Sequence, residues 1–223
     1  MSAAALAWST VSVGGSDART FLDGQLAQSI DAAATGAWTA VLEPDSTVLC
    51  AAWLRDSSQG IDLLVPSELA SRVEARLRRF RLRVDVTLSI GEGADGAPLS
   101  RHEQLYEQSL PWVGEFARDL TPHSFGRAFV ERCVSFDKGC FTGQELVARM
   151  DARGASVPFR FARAAGPSLE RLREVVAGAG PDKSQGVTTV FEREGGIVAH
   201  AIVHRSLLVE GSAPPDVTVE EIA

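Results

Sequence analysis

Residues 39–65 read TAVLEPDSTVLCAAWLRDSSQGIDLLV and contain three short apolar runs, at residues 39–42, 48–54 and 61–65. Turn-forming residues separate the runs, with Pro44, Asp45 and Ser46 in the first gap and residues 57–60 (SSQG) in the second. Short apolar runs that are partly β-branched and are joined by such turns indicate neighbouring strands. This stretch therefore predicts an antiparallel meander.

Helical patterns lie on both sides of the meander. Residues 16–26 carry apolar side chains at helical spacing, and Ser67 precedes a stripe of Leu69, Val73, Leu77 and Phe80. Residues 83–90 then return as a strand. The pattern predicts an α+β region with helices packed on an antiparallel sheet, and a Gly-rich loop at residues 91–98 is a possible subdomain boundary.

The second half of the chain changes character after Gly154. Before it, a capping box at Ser100 to Glu103, a cap at Thr121-Pro122 and a short strand at residues 134–136 are expected. After it, strands are expected at residues 159–162, 187–191 and 197–209, with a helix capped by Ser168. These patterns predict an α+β region over residues 1–153 and a small, mostly β, barrel-like C-terminal domain over residues 154–223.

Composition limits the function classes. The chain has 223 residues, of which 45% are hydrophobic, and a formal net charge of -7, which disfavours general binding to nucleic acid or anionic lipid. No apolar run approaches the roughly 20 residues of a membrane span. The start of the chain lacks the pattern of a signal peptide, and three cysteines at irregular spacing suit a reducing compartment, so a cytoplasmic location is expected.

Residues 138–145, KGCFTGQE, carry the strongest chemical signal; we call them the Lys-Gly-Cys segment. Thr142 and Glu145 match a capping box, which predicts a helix that starts at Thr142. Cys140 would then lie near the positive end of that helix and near Lys138, and both effects lower the pKa of a thiol. Gly139 and Gly143 would let a ligand approach the backbone. On these residues alone, a structural cysteine at an ordinary helix remains the alternative.

The Lys-Gly-Cys segment resembles the signature of the YgfZ-type folate-binding proteins, which are relatives of the glycine-cleavage aminomethyltransferases. Phe141 stands where tyrosine is usual, and the match continues through residues 146–149, Arg153-Gly154 and Arg160. Residues 15–26 and 80–84 show weaker similarity. The resemblance implies an aminomethyltransferase-like α+β fold that binds tetrahydrofolate or a derivative. It also implies Cys140 and Lys138 as catalytic residues, with folate-binding residues at Gly139, Phe141, Gly143, Gln144, Glu145 and Arg149.

Three functions are compatible with this resemblance. The first is assembly or repair of iron–sulfur clusters through Cys140, with iron–sulfur client or assembly proteins as partners. The second is one-carbon transfer by a folate-dependent aminomethyltransferase; Pro66-Ser67 stands where those enzymes typically carry Asn-Ala, which disfavours this activity. The third is an interaction module that senses folate without catalysis.

Four other patterns point less strongly to function. Residues 91–96 fit G-x-G-x-x-G, but their acidic residues and the late following helix favour a solvated turn. Six arginines between Arg72 and Arg83 favour the solvated end of a helix over RNA binding, although one or two could meet the glutamate tail of a folate. His200 and His204, four apart on a strand, are too distant to share a metal. His123, with Arg127 after it, is expected to support the neighbouring loop.

Overall fold

The computed structural model describes residues 5–93, 95–154, 156–178, 185–193 and 196–222, which form two antiparallel sheets and several helices. The first half contains β1 (Trp8–Gly14), α1 (Ala18–Asp23), β2 (Ala37–Leu42), β3 (Val48–Ser57), β4 (Gly60–Pro66), α2 (Ala70–Phe80) and β5 (Thr87–Glu92). The middle is helical, with α3 (His102–Glu107), α4 (Val113–Phe116), α5 (Arg127–Cys133) and α6 (Gln144–Arg153). The last part contains β6 (Phe159–Gly166), α7 (Leu169–Gly178), β7 (Gly186–Arg193), β8 (Gly196–His204) and β9 (Thr218–Glu221).

The first sheet has the strand order β2-β3-β4-β1-β5, so the predicted meander is confirmed and forms the first three positions. Ser57 pairs with Gly60 at the β3–β4 turn, where Gly60 has a φ of 143°. A Cβ at Gly60 would lie 2.3 Å from the carbonyl oxygen of Val13 on β1. Glycine is required there because β1 passes close to the turn.

The main core lies where α1 and α2 pack against this sheet. Val11, Leu22, Leu63 and Leu77 are fully buried in it. Burial of each such side chain contributes about 1.5–3 kcal/mol. The helix predicted after Ser67 is present, but Ser67 begins a short 3-10 turn, Ser67–Leu69, and does not cap α2.

The middle of the chain corrects two expectations. Residues 134–136 are not a strand; after α5 the amide of Ser135 instead donates to the carbonyl oxygen of Ala27 in the first half at 2.9 Å. The second correction is that Gln104, not Glu103, accepts the capping bonds before α3. Thr121 is the N-cap with Pro122 at the first position, as expected, but the helix it starts is a single 3-10 turn, Pro122–Phe125, which ends at Gly126 before α5 begins.

The second sheet has the order β7-β8-β6-β9 and is open, so the barrel-like C-terminal unit is not present in the described residues. β9 pairs only through residues 218–221, along the middle of β6, and β7 and β9 lie at opposite edges. Buried residues of this sheet divide between two clusters: Phe161, Ile202 and Ile222 belong to the main core, whereas Leu172 and Val176 of α7 pack in a smaller one. The division into domains at residue 153 stays a prediction.

The strand expected at residues 83–90 lies at Thr87–Glu92, and the one expected at residues 197–209 ends at His204, before the 3-10 turn Arg205–Leu208. The remaining strands and helices agree with the α+β prediction. Ser168 caps α7 as expected, because its hydroxyl accepts the amide of Arg171 at 3.2 Å. Across the described ranges, we find no helix with both the length and the apolar composition needed to cross a membrane.

Candidate functional site

Lys138 anchors the start of the Lys-Gly-Cys segment to the first half of the chain. Its side chain is only 3% exposed, and Nζ lies 3.0 Å from Oδ1 of Asp23 at the end of α1. Nζ also donates to the carbonyl oxygens of Asp23, Leu26 (3.0 Å) and Gln28 (3.1 Å). The ammonium group therefore holds residues 23–28 and the Lys-Gly-Cys segment together.

The contact between buried Lys138 and half-buried Asp23 changes the pKa of both groups. Burial by itself raises the pKa of the Asp23 carboxyl, but the hydrogen bonds from Lys138 and from the amide of Ile30, together with the lysine charge, outweigh it and hold that pKa below its ordinary value. Burial lowers the pKa of Lys138, and Asp23 partly offsets the change. The buried Lys138 charge thus depends on Asp23 and the backbone carbonyls, because a buried charge without partners is strongly destabilising.

Phe141, Thr142 and Gly143 fix the other end of the segment. The Phe141 ring is 6% exposed. The amide of Thr142 donates to the carbonyl of Gly24 at 3.0 Å, and its hydroxyl donates to Oε1 of Gln25 at 3.3 Å. Gln25 in turn accepts a hydrogen bond from Arg76, whose guanidinium is buried in α2. Two polar contacts thus tie Thr142 to the turn after α1.

This arrangement corrects the predicted capping box. The N-cap of α6 is Gly143, with a φ of 84°, and α6 begins at Gln144. A Cβ at position 143 would lie 2.8 Å from the carbonyl oxygen of Glu43, so a larger residue would clash with the β2–β3 turn. Thr142 is unavailable as a cap because its hydroxyl faces Gly24 and Gln25.

Three of the predicted folate-binding residues, Gln144, Glu145 and Arg149, lie on the first turns of α6. Oε1 of Gln144 accepts the amide of Phe141 at 3.4 Å, which closes the loop locally. Glu145 is exposed and pairs with Arg149 one turn later. An exposed pair of this kind contributes about 0.3–0.5 kcal/mol.

Cys140 differs from the other two cysteines in its accessibility. Gly139 and Cys140 are both exposed, between the anchored Lys138 and the buried Phe141. Cys50 and Cys133 are fully buried, and burial raises the pKa of both thiols far above the ordinary range. Cys140 is therefore the thiol that solvent and other molecules can reach.

A cavity of about 540 Å³ is lined by residues that precede and follow the Lys-Gly-Cys segment in sequence; we call it the His123 cavity. It is bounded by the 3-10 turn before α5, by α5, by the second half of α6 and by the start of β6. The lining residues are His123, Gly126, Arg127, Val130, Glu131, Val134, Phe136, Met150, Asp151, Gly154 and Arg160. They flank the Lys-Gly-Cys segment in sequence on both sides, so the segment and the cavity wall are parts of one continuous stretch.

His123 is the most unusual polar group in this wall. Its side chain is 11% exposed, and Nε2 lies 4.0 Å from Oδ1 of Asp151, too far for a hydrogen bond. Within the described ranges, neither ring nitrogen has a hydrogen-bond partner. Burial lowers the pKa of His123; the Asp151 charge opposes this change and the Arg160 charge adds to it.

The structure separates the predicted site residues into two groups. Lys138, Phe141, Gly143 and Gln144 form internal contacts, whereas Gly139, Cys140, Glu145 and Arg149 face outward. None of these eight residues lines the His123 cavity. The sequence predicts His123 only as a support for the neighbouring loop, whereas in the structure it lines the cavity.

Asp151, Glu131 and Phe136 were missed as cavity residues. A usable signal was present, since residues 126, 127, 130, 131 and 134 recur at the spacing of one helical face and include charged side chains.

The glycine-rich pattern at residues 91–96 and the arginine cluster at residues 72–83 were expected to be a solvated turn and the solvated end of a helix. Gly93 and Gly96 have positive φ values in an exposed loop, and Ala94 between them lies outside the described residues. In the arginine cluster, Arg78 pairs with Glu74 and Arg79 pairs with Glu43, as expected of a solvated face. Arg76 differs from this expectation, because it is buried and donates to the carbonyl of Leu42 at 2.9 Å and to Gln25.

His200 is fully buried on β8, and His204 on the same strand is partly exposed. The aromatic neighbours of His200 are Tyr106, Phe161 and Phe191. No group of three or more possible metal-binding side chains occurs in the part of the chain that the structure describes.

Comparison with known proteins gives a fold relationship. No family model and no curated protein sequence matches the chain. Among solved structures, it is similar to the glycine cleavage system aminomethyltransferase T from Bartonella henselae, with a TM-score of 0.54 and 14% sequence identity over 96% of this chain and 83% of that chain. At this identity the likeness establishes a shared fold: the chain has the mixed α+β architecture of an aminomethyltransferase.

Proposed function

We propose that this protein binds a reduced folate in the His123 cavity and acts through Cys140 in the assembly or repair of iron–sulfur clusters. One observation carries the proposal. Val134 and Phe136 lead into the Lys-Gly-Cys segment and line the cavity, Met150 and Asp151 follow the segment and line it too, and Cys140 is exposed between them. One stretch of chain therefore links the ligand cavity to an accessible thiol.

The cavity has the size and the wall chemistry that a folate needs. A volume of about 540 Å³ lies within the usual range of roughly 300–1,000 Å³ for small-molecule sites. Phe136 and Met150 offer apolar surface for a planar ring system, and Arg127 and Arg160 offer cations for carboxylates. The unpaired nitrogens of buried His123 also favour a polar ligand, because buried polar groups are normally hydrogen-bonded.

The chemistry is divided between the ligand and the chain. A reduced folate supplies a carrier for one-carbon units. The protein would hold it through the residues named above. Lys138, Thr142 and Gly143 keep the loop fixed, so that the Cys140 thiol stays exposed at the protein surface.

The iron–sulfur part of the proposal rests on the resemblance of the Lys-Gly-Cys segment and on thiol accessibility. Cys50 and Cys133 are buried, so Cys140 is the thiol that a partner protein can contact. Thiols and thiolates are the usual protein ligands of iron–sulfur clusters. We therefore propose an iron–sulfur client or assembly protein as the partner that meets Cys140.

Folate binding should raise the thermal stability of the protein. A ligand that binds only the folded state stabilises it by about 2.7 kcal/mol at a concentration 100 times its Kd. The measurement is the unfolding midpoint with increasing tetrahydrofolate or its 5-formyl derivative.

Phe136→Ser should reduce the shift in the unfolding midpoint, because it removes an aromatic ring from the cavity wall. Val190→Ser, at an exposed apolar residue on β7, is the control and should leave the shift unchanged. An unchanged midpoint at millimolar ligand would refute folate binding.

The second candidate function is aminomethyl transfer to folate, and the fold relationship is the observation that favours it. Against it stands Pro66-Ser67, where β4 ends and a 3-10 turn begins. We expect no folate-dependent release of ammonia from an aminomethyl-lipoyl carrier protein above the background rate. Sustained turnover in that assay would make the transferase the correct function.

A folate-sensing interaction module is the third candidate. It would bind folate and a partner without using the Cys140 thiol. Binding of folate together with full cellular function of a Cys140 variant would favour this candidate over the proposed one.

A further inference from the structure

His123 occupies a position in the cavity wall where its protonation state can respond to a ligand. Both ring nitrogens are buried and lack hydrogen-bond partners among the described residues, although the cavity lies against them. The imidazole is therefore held without its usual hydrogen bonds. A group that enters the cavity can supply one.

The charged groups that face His123 come from each element packed around it. Asp151 projects from α6, Arg160 from β6, and Arg127 and Glu131 from α5. Arg127 pairs with Glu131 at 2.6 Å, and the guanidinium of Arg160 donates to the backbone carbonyl of His123 at 3.2 Å. Arg160 also pairs with Glu221 of β9 at 3.4 Å, so with His123 neutral three carboxylates surround two cations. An arriving carboxylate would therefore add to a negative charge that the neutral imidazole does not offset.

We infer that His123 takes up a proton when a ligand carboxylate enters the cavity, so that ligand binding tightens as the pH falls. This inference rests on the proposed function, in which the ligand is a reduced folate with ionised carboxylates. It assigns His123 as a ligand-binding residue that couples affinity to pH.

The physical basis is the effect of a nearby charge on a titrating group. An opposite charge within about 4–6 Å favours the protonated form of histidine, which offsets the burial that disfavours that form in the free protein. Because the linkage is reciprocal, a ligand that raises the pKa of His123 must bind more tightly when that residue is protonated. Carboxylic acids titrate near pH 4, so the ligand carboxylates stay ionised through the range where histidine titrates.

Calorimetric titration with 5-formyltetrahydrofolate tests the inference directly. The titration is repeated between about pH 6 and pH 8 in two buffers that differ in ionisation enthalpy. We expect net proton uptake on binding, and a Kd that rises with pH by up to about tenfold per pH unit. Binding without proton uptake and with a pH-independent Kd would overturn the role of His123 and leave folate binding intact. No binding at any pH would overturn both.

Two variants identify the titrating group. His123→Asn removes the titration and should abolish both the proton uptake and the slope. Asp151→Asn keeps the imidazole but removes a charge that raises the pKa of His123, so the pH dependence should move to lower pH. Asp151 is 52% exposed, so this variant should fold even if His123→Asn does not.

His102→Asn, in α3 and outside the cavity wall, is the matched control and should behave as the wild type. Unchanged proton uptake in both cavity variants would refute the assignment.

Discussion

Replacing Lys138 by Met should lower the free energy of unfolding by about 2 kcal/mol, because it removes a buried ammonium group that donates to backbone carbonyls, and a buried acceptor left without its donor costs about 1–3 kcal/mol. The variant leaves the Asp23 carboxylate without its cation and removes the donor to three backbone carbonyls. Burial of the methionine side chain returns only part of this loss. The measurement is chemical denaturation with urea.

Arg149→Met is the matched control for this experiment. It removes a positive charge from the same part of the chain, but its pair with Glu145 is exposed, so the change should stay below about 0.5 kcal/mol. Asp23→Asn should also destabilise the protein, and the double variant should lose less than the sum of the two single losses, because the two residues interact directly.

The opposite result would assign Lys138 a different role. If Lys138→Met unfolds like the wild type while Cys140 alkylates more slowly, then Lys138 acts on the thiol and not on the fold. The described contacts of the ammonium group with residues 23–28 predict the structural outcome.

Replacing Cys140 by Ala should abolish the cellular function while changing the free energy of unfolding by less than about 0.5 kcal/mol. Cys140 is exposed, so its truncation neither opens a cavity nor removes a buried contact. The functional measurement is rescue of iron–sulfur enzyme activity in cells that lack this protein. Cys50→Ala, at a fully buried position, is the control; it should cost stability but retain rescue wherever the protein remains folded.

Alkylation kinetics give an independent test of the same site. In the folded protein one thiol should react quickly, because Cys50 and Cys133 are buried and their pKa values are raised. Mass spectrometry should place the fast modification on Cys140, and the Cys140→Ala variant should lose it. Full rescue by Cys140→Ala would show that the thiol is dispensable, and equal reaction of all three cysteines would contradict its selective exposure.

The local patterns that predicted the first sheet succeeded because they do not depend on distant contacts. Apolar runs and turn residues between residues 39 and 65 specify strand, turn and strand within a few residues. The open second sheet was not predictable in the same way. Strand closure depends on which edges meet, and the short β9 pairs with β6 across more than 50 residues of sequence.

The capping box at Thr142 failed for a related reason. The pattern is local and common, but the Thr142 hydroxyl has partners at Gly24 and Gln25, which lie 118 and 117 residues away in sequence. Those contacts leave the cap position to Gly143. A capping pattern is therefore reliable only where no tertiary partner competes for its side chain.

The sequence alone determined the α+β class, the antiparallel meander and the segment that carries Cys140, because these are encoded in runs of fewer than about ten residues. Only the tertiary structure decided that the Lys138 ammonium faces Asp23 and that His123 and Asp151 share a cavity wall. Each of these relationships joins residues from separate elements, and the burial that shifts their pKa values exists only after those elements pack. Periodicity and turn chemistry act along the chain, whereas ion pairs and cavities form between parts of it.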